Sequence, residues 1–146
     1  MENQVLKIYT DGACRGNPGP GGWAAILLYG GGRKEISGHV ADTTNNRMEL
    51  QSVIEGLKAV KKPCKIEVYS DSAYVVNAIN NGWIDSWQKN GWRTSDKKDV
   101  KNKDLWEELI ALNATHSPTY IKVKGHSDDI NNNRADELAV AASRKE

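Results

Sequence analysis

The spacing of hydrophobic and polar residues predicts three strands at the start of the chain. Val5–Thr10 is rich in β-forming residues, Trp23–Tyr29 is mostly apolar, and Arg33–Val40 alternates between polar and apolar positions. Glycine, asparagine and proline dominate residues 12–22, and three glycines follow Tyr29. We therefore predict an antiparallel meander of three strands, with a first strand that stops at Asp11 and a loop over 12–22.

Helical periodicity takes over after the third strand. Apolar residues recur at intervals of three and four from Met48 to Val60, with Thr44 or Asn45 as N-cap and Pro63 as the end of the helix. The later predicted elements are a strand at 65–70, helices at 72–80, 83–89 and 104–112, a strand at 119–124, and a helix at 134–143. This order predicts an α/β (α+β) fold with a mixed five-stranded sheet flanked by helices.

Length and composition predict one globular domain over residues 1–146. The chain has 146 residues, of which 38% are hydrophobic and 27% are charged, as in ordinary soluble domains. It contains no apolar run of the roughly 18 residues that a membrane span needs, so we expect a cytoplasmic monomer without membrane contact. Cys14 and Cys64 lie far apart and lack zinc-binding spacing, which favours reduced thiols.

The net charge of +1 conceals an uneven distribution. Between Trp87 and Lys103, six basic residues face two acidic ones, so this basic segment carries +4 and the rest of the chain about −3. A local positive charge on a mildly acidic body indicates a polyanionic partner that binds at one place. The basic residues are Lys89, Arg93, Lys97, Lys98, Lys101 and Lys103.

Four acidic residues are candidates for metal-dependent chemistry. Asp11 follows the first strand and Asp71 the fourth, so their carboxylates meet at one edge if those strands are parallel neighbours. Glu49 and Asp136 lie near the starts of helices that could lean over that edge. Carboxylate oxygens suit Mg²⁺, and two such ions can stabilise both oxygens of a phosphodiester displacement. Turn, cap and helix-terminus roles explain each acid singly, and spacing alone leaves those alternatives open.

Five stretches form a more specific set of motifs. They are TDGACRGNPGPGGWAAIL (10–27), TTNNRMEL (43–50), YSDSAYV (69–75), GWIDSWQKNGWRTSDKKDVKNKDLW (82–106) and VKGHSDDINNNRADELA (123–139). Taken in order, they cover nearly the whole chain and resemble type 1 ribonuclease H of the bacterial kind. The resemblance implies the ribonuclease H-like fold and hydrolysis of the RNA strand of RNA–DNA hybrids, leaving 5′-phosphate and 3′-hydroxyl ends.

The resemblance also implies catalytic roles. Asp11 would bridge two Mg²⁺ ions, for which Mn²⁺ could substitute, and Asp71 would complete the ion that activates water. Glu49 and Asp136 would hold the ion nearer the leaving group. His126 would assist proton handling or product release, although a lone histidine is otherwise an ordinary surface residue.

The same resemblance implies two sets of substrate contacts. Residues beside the minor groove would touch the RNA 2′-hydroxyl, which distinguishes RNA from DNA; they are Cys14, Asn17, Asn45 and Asn46. Residues on the DNA strand would bind a phosphate or stack on the backbone; they are Thr44, Asn102, Trp83, Trp87 and Lys89. Capping is an alternative for the asparagines, as core packing is for the tryptophans. We expect Trp83 and Trp87 to be partly exposed and Trp92 to pack inside the protrusion, the name we use for residues 83–103, which carry these tryptophans and the basic segment.

Three features depart from the family pattern: Asp42, Ala73 and the loop 127–133. The family resemblance therefore does not predict metal affinity, loop dynamics or the strength of binding to the DNA strand. Three other classes of protein deserve comparison: another nuclease of the superfamily, a non-catalytic hybrid-binding module, and a domain of a reverse transcriptase. The NNRME motif, the basic tryptophan segment and the presence of all four acids favour the free-standing hybrid nuclease.

Overall fold

The computed structural model describes residues 5–62, 64–93, 98–123 and 129–144. Within these ranges the chain forms five strands and five helices. They are β1 (Val5–Cys14), β2 (Gly19–Tyr29), β3 (Gly32–Thr43), α1 (Asn45–Lys58), β4 (Lys65–Ser70), α2 (Ala73–Asn80), α3 (Trp83–Lys89), α4 (Lys103–His116), β5 (Thr119–Lys122) and α5 (Ile130–Ser143). Of these helices, none has the length and apolar content needed to cross a bilayer.

The strands described form one mixed sheet in the order β3-β2-β1-β4-β5. The first three pair antiparallel, as a meander does, whereas β4 runs parallel to both β1 and β5. Parallel neighbours need a crossover connection, and α1 lies in the connection that leads to β4. The fold class and the meander are confirmed, and the condition set for Asp11 and Asp71, that the first and fourth strands be parallel neighbours, is met.

Helices cover both faces of the sheet. Ile8 of β1 is fully buried in a large apolar cluster that includes Trp106 and residues of α1, α2 and α4. Tyr9, the next residue, packs on the opposite face with Ile26 and with Ala135 of α5. Successive strand residues point to opposite sides, so β1 is buried on both faces and is held firmly at the centre of the fold. Each fully buried large aliphatic side chain stabilises the fold by about 1.5–3 kcal/mol.

The predicted end of the first strand at Asp11 and the loop over 12–22 are wrong. Pairing between β1 and β2 continues to Cys14, which lies opposite Gly21. Gly16 stays in the loop with a φ of +77°, whereas the other glycines of this stretch are close-packed positions within the strands. These are Gly12 in β1 and Gly19, Gly21 and Gly22 in β2. A side chain on Gly22 would collide with the backbone of α5, so only glycine lets this helix approach the sheet. The loop between the two strands shrinks to 15–18.

The last helix also begins earlier than predicted, at Ile130 rather than at 134. Asp129 caps it, because its side chain accepts hydrogen bonds from the backbone N–H groups of Asn131 and Asn132 at 2.9 and 3.1 Å. Part of the unusual loop sequence is therefore helix-capping chemistry. Asp136 consequently lies in the second turn of α5 rather than near its start.

Smaller differences concern the ends of other elements. The third strand runs to Thr43, the fourth helix spans 103–116, and the fifth strand ends at Lys122. Thr44, not Asn45, is the N-cap of α1, which ends at Lys58. Pro63, predicted to close that helix, lies outside the described residues.

Candidate active site

Two carboxylates lie where the parallel pairing of β1 and β4 ends. Thr10 and Ser70 are the last paired residues, and the next residues are Asp11 and Asp71. The backbone N–H of Gly12 donates to Oδ1 of Asp11 at 2.9 Å, which fixes that carboxylate. The sheet thus brings both acids to one edge, the juxtaposition that follows from the strand order.

A glycine contact brings a third acid, Glu49, to the same edge. A side chain on Gly12 would collide with the backbone of Met48 and Glu49, so α1 lies directly on β1 beside Asp11. The first turn of α1 is fixed by Thr44, whose side chain accepts from a backbone N–H three residues later. Glu49 therefore sits on a rigid helix rather than on a loop.

Asp11, Glu49 and Asp71 form what we call the carboxylate cluster. One ligand oxygen of each lies within 4.8 Å of those of the other two. Asp11 and Glu49 are only 4% and 7% exposed, and Asp71 is half-buried. Asp136, exposed on α5, adds a fourth acid through a hydrogen bond between its carboxyl group and that of Asp11. All four predicted acids therefore lie together.

Crowding of like charges changes the acidity of the cluster. Burial, the charge of Asp71 and the hydrogen bond with Asp136 together raise the pKa of Asp11 to about 8. Burial, followed by the charges of Asp11 and Asp71, holds the pKa of Glu49 well above its ordinary value. These shifts have the sign expected when carboxylates share a site without a compensating positive charge.

The cluster fits a divalent cation. Oε1 of Glu49 is buried and has no hydrogen-bond partner among the described residues. An unsatisfied buried polar atom destabilises a fold by about 1–3 kcal/mol, so a ligand for this oxygen would be stabilising. The cluster offers only oxygen donors, which suit magnesium, manganese or calcium better than a structural zinc ion.

A polar cleft of about 410 Å³ opens at the N-terminus of α1. Its walls consist of Asn17, Thr44, Asn45, Asn46, Lys101 and Asn102. Oδ1 of Asn17 accepts a hydrogen bond from the backbone N–H of Asn45 at 2.8 Å, which joins the β1–β2 loop to the helix. The structure therefore gathers five predicted substrate contacts in one cleft and adds Lys101, which the sequence offered only as part of the basic segment.

Cys14, predicted to line the same groove, is half-buried at the end of β1. Its thiol donates to the backbone carbonyls of Gly19 and Thr43 at 3.5 and 3.4 Å. Burial raises the pKa of Cys14, and the negative charge of Asp42 adds to the shift, so this thiol is neutral. Both cysteines are free, so no disulfide joins them.

The tryptophan segment combines exposed and packed rings. Trp83 is 41% exposed, whereas Trp87 is half-buried with its ring centroid 5.5 Å from that of the core residue Trp106. The ring centroids of Trp92 and Trp87 are 6.1 Å apart. Nζ of Lys103 lies over the Trp92 ring, 5.8 Å from the ring centroid. The expected division holds, with two partly exposed rings and a third that packs the protrusion. Lys89 is exposed at the end of α3.

Sequence reasoning missed two residues beside the polar cleft. The hydroxyl oxygen of Tyr74 accepts a hydrogen bond from Asn102 Nδ2 at 3.0 Å, and Arg47 donates to Oδ1 of the same asparagine at 3.3 Å. Neither contact has a local sequence signal, because the partners are 28 and 55 residues apart. His126 lies outside the described residues. Ala73 is exposed at the start of α2.

Carboxylates grouped where the pairing of two parallel strands ends, on a mixed sheet, are an arrangement that can hold divalent cations for phosphoryl transfer. The family model described as RNase H matches residues 3–144. The chain belongs to the ribonuclease H family. Ribonuclease H of Caldanaerobacter subterraneus is 59% identical over 98% of this chain and 94% of the relative. Ribonuclease H of Chlorobaculum parvum is 57% identical over 98% of both chains.

Solved structures agree with this assignment. The crystal structure of LC9-RNase H1, a type 1 RNase H with the type 2 active-site motif, superposes with a TM-score of 0.85. It is 29% identical to this chain, and the match covers 98% of this chain and 74% of that one. LC11-RNase H1 in complex with an RNA/DNA hybrid has a TM-score of 0.70 and 25% identity, over 94% of this chain and 95% of that one.

Proposed function

We propose that this enzyme hydrolyses the RNA strand of RNA–DNA hybrids and leaves 5′-phosphate and 3′-hydroxyl ends. The observation that carries the proposal is the carboxylate cluster, in a chain whose relatives at 57–59% identity are ribonucleases H. A structural neighbour that binds an RNA/DNA hybrid supports the choice of substrate.

The cofactor proposed is a pair of Mg²⁺ ions, with Mn²⁺ as a substitute. Asp11 would contact both ions, Asp71 the one on the side of the attacking water, and Glu49 and Asp136 the one beside the leaving group. When bound, such a pair activates water and stabilises charge on the leaving oxygen. The unpaired Oε1 of Glu49 supports this arrangement, because it offers a buried ligand atom with no competing partner among the described residues.

The protein itself supplies orientation and proton handling. The Gly12 N–H holds one oxygen of Asp11, which restricts the orientation of that carboxylate. A proton on Asp11 can be shared with Asp136, because Asp11 has the raised pKa and donates in the hydrogen bond between the two carboxyl groups. His126 is proposed to assist proton handling or product release.

Substrate selection is proposed to lie outside the cluster. Small polar groups at Cys14, Asn17, Asn45 and Asn46 suit contact with 2′-hydroxyls in the minor groove. Thr44 and Asn102, which both line the polar cleft, suit a DNA phosphate. The exposed ring of Trp83, together with Trp87 and Lys89, suits the sugar–phosphate backbone beyond it.

We propose further that the protein acts as a single-domain monomer in the cytoplasm. The sheet and both of its helical layers form around two adjoining apolar clusters, which supports one folding unit. Two free, half-buried thiols are compatible with a reducing compartment.

The proposal is tested with a labelled RNA–DNA hybrid and matched single-stranded RNA, duplex RNA and duplex DNA. In millimolar Mg²⁺ only the RNA strand of the hybrid should be cut. Asp11→Asn should abolish cutting, whereas Glu107→Gln, an exposed acid on α4, should not change it. Equal cutting of duplex DNA would assign the chain to another nuclease activity, and binding without turnover would make it a hybrid-binding module.

Cation binding has a test that does not need turnover. Mg²⁺ should raise the thermal unfolding midpoint of the wild-type protein, because a ligand that binds only the folded state stabilises it. Glu49→Gln should reduce this rise, whereas Glu107→Gln should retain it. An equal rise in all three proteins would show that the ion binds elsewhere.

A further inference from the structure

Arg47 joins two of the elements that build the polar cleft, α1 and the turn before α4. It lies on α1, one residue after Asn46, and its guanidinium reaches α4. Nη1 and Nη2 donate to the two carboxylate oxygens of Asp104 at 3.0 and 2.7 Å, and Nη1 also donates to Oδ1 of Asn102 at 3.3 Å. A planar guanidinium can make these bonds together, whereas a lysine ammonium is a single point donor.

These contacts fix the orientation of the Asn102 amide. A guanidinium only donates, so Oδ1 of Asn102 must face Arg47 and Nδ2 must face the hydroxyl oxygen of Tyr74. That oxygen also accepts from Nε1 of Trp106 at 3.0 Å, which anchors it to the core. The backbone of Asn102 has φ +65°, a left-handed conformation that a residue other than glycine rarely adopts. The turn into α4 is thus held from both sides.

The charge of Arg47 is already matched. Asp104 pairs with the guanidinium, whose side chain is 33% exposed. The hydrogen bond from Arg47 lowers the pKa of Asp104, and the same bond raises the pKa of Arg47. The pair therefore remains ionised at neutral pH, and the guanidinium adds little free positive charge to the cleft.

Arg47 also contacts Thr44, another residue that lines the cleft. Its backbone N–H donates to the hydroxyl oxygen of Thr44 at 3.3 Å, while its side chain holds Asn102. One residue thus touches both groups that are proposed to bind a DNA phosphate. A shift of α1 relative to α4 would separate them.

We propose that Arg47, paired with Asp104, is a positioning residue that holds Thr44 and Asn102 at the spacing needed to bind one phosphate of the DNA strand. The inference rests on the proposed function and deepens it. Arg47 acts through Asn102 and not as a ligand of the phosphate.

The first test compares Arg47→Lys and Asp104→Asn in cleavage of the labelled hybrid. Both variants should raise KM by about two- to tenfold, the value of one ordinary hydrogen bond, with kcat nearly unchanged. Asp104→Asn separates positioning from charge, because it leaves Arg47 positive but unpaired. Tighter hybrid binding by Asp104→Asn would overturn the proposal.

A matched control is available on the same pair of helices. Lys58 of α1 contacts Glu108 of α4 at 3.2 Å, and both side chains are about half exposed, 50% and 43%. Glu108→Gln should leave KM unchanged, because this ion pair lies away from the cleft residues. If Glu108→Gln raised KM as much as Arg47→Lys does, the effect of Arg47 would be general docking of α1 on α4, and its positioning role would be overturned.

A double-mutant cycle tests whether Arg47 acts through Asn102. In an Asn102→Ala background, Arg47→Lys should raise KM no further, because the group that it positions is absent. Multiplicative effects of the two changes on KM would contradict the proposal and indicate an independent contact by Arg47.

The side-chain amide of Asn102 provides a readout that does not depend on activity. Its NMR resonances in the free protein should shift or broaden in Arg47→Lys and stay unchanged in Glu108→Gln. Unchanged resonances in Arg47→Lys, in a protein that cleaves the hybrid, would overturn the positioning role alone. A wild-type protein that never cleaves the hybrid would overturn the proposed function instead.

Discussion

At the scale of single residues, the candidate active site brings three carboxylates close together with little water between them to screen their repulsion. Asp11 and Glu49 are buried beside Asp71, and the pKa values of Asp11 and Glu49 are raised because burial and repulsion favour their neutral forms. The metal-free fold is therefore least stable at alkaline pH, where all three acids are ionised.

We predict that the metal-free protein loses stability as the pH rises. The pKa of Asp11 is about 8 in the fold and lower when unfolded, so the folded state binds more protons between roughly pH 4 and 8. Stability is therefore fully present below this window and falls through it. Asp11→Asn should flatten the slope and be more stable at pH 8 by on the order of 2 kcal/mol, measured by urea unfolding in chelator. Parallel pH profiles for both proteins would contradict this.

The residues of the candidate site differ in how far the sequence alone could predict them. Asp11 and Asp71 followed from the predicted ends of two strands. The first strand in fact runs on to Cys14, but its parallel pairing with β4 does end just before Asp11. Glu49 and Asp136 needed the family resemblance, since the approach of a helix to a sheet edge has no local sequence signal. Arg47 became visible only from its contacts with Asp104 and Asn102, on an element far along the chain.

At the scale of elements, glycines decide how closely helices approach the sheet. Gly12 lies under α1 and Gly22 under α5, and a side chain at either position would meet helix backbone. These glycines sit in paired strands, so their role is close packing rather than turn formation. The sequence identified almost every element by its periodicity, but it misplaced strand ends because a glycine at a packing site and a glycine in a turn look alike.

We predict that Gly12→Ala impairs activity as well as stability. The new methyl group would force α1 away from β1 and move Glu49, at a cost of about 1–3 kcal/mol from overpacking. Gly31→Ala is the control: it has open space around it but a φ of +86°, so it should lose about 1 kcal/mol and retain kcat. Chemical denaturation and single-turnover cleavage measure the two effects. A Gly12→Ala protein with normal kcat would show that α1 is not held by this contact.

We predict that Asp129 stabilises α5 as its N-cap. Asp129→Ala should lower the free energy of unfolding by about 1 kcal/mol, because two backbone N–H groups lose their acceptor. Asp129→Asn keeps a capping oxygen and should lose much less. Thermal and urea unfolding of the two variants give the comparison, and equal losses would mean that charge rather than capping is responsible.

At the scale of the whole molecule, acids and bases occupy different regions. The carboxylate cluster lies where the parallel pairing of β1 and β4 ends. Exposed lysines instead run from the last residue of α3 to the first residue of α4; those described are Lys89, Lys98, Lys101 and Lys103. The full strand order comes from the structure, whereas this separation of charge was predictable, since it depends on a long stretch of sequence. The polar cleft was not, because its walls come from the β1–β2 loop, α1 and the turn before α4.

We predict that hybrid binding depends on salt through the basic segment. Lys89→Ala should reduce the slope of log affinity against log salt concentration by about 0.7–0.9, the value expected for one lost phosphate contact. Lys65, exposed at the opposite end of β4 from Asp71, is the control, and its alanine variant should keep the slope. Fluorescence anisotropy with the hybrid in chelator measures both. Equal slopes in all three proteins would place the DNA strand elsewhere.

The crowding of Asp11, Glu49 and Asp71 also creates a trade-off in evolution between thermal stability and catalytic turnover. Neutralising one of these acids relieves repulsion in the metal-free fold, so a population screened only for thermal survival would tend to discard them. A population screened for hybrid turnover must keep them and recover stability at sites such as helix caps. Engineers who seek a hardier enzyme should hold the three acids constant, because the easiest stabilising mutations here are the inactivating ones.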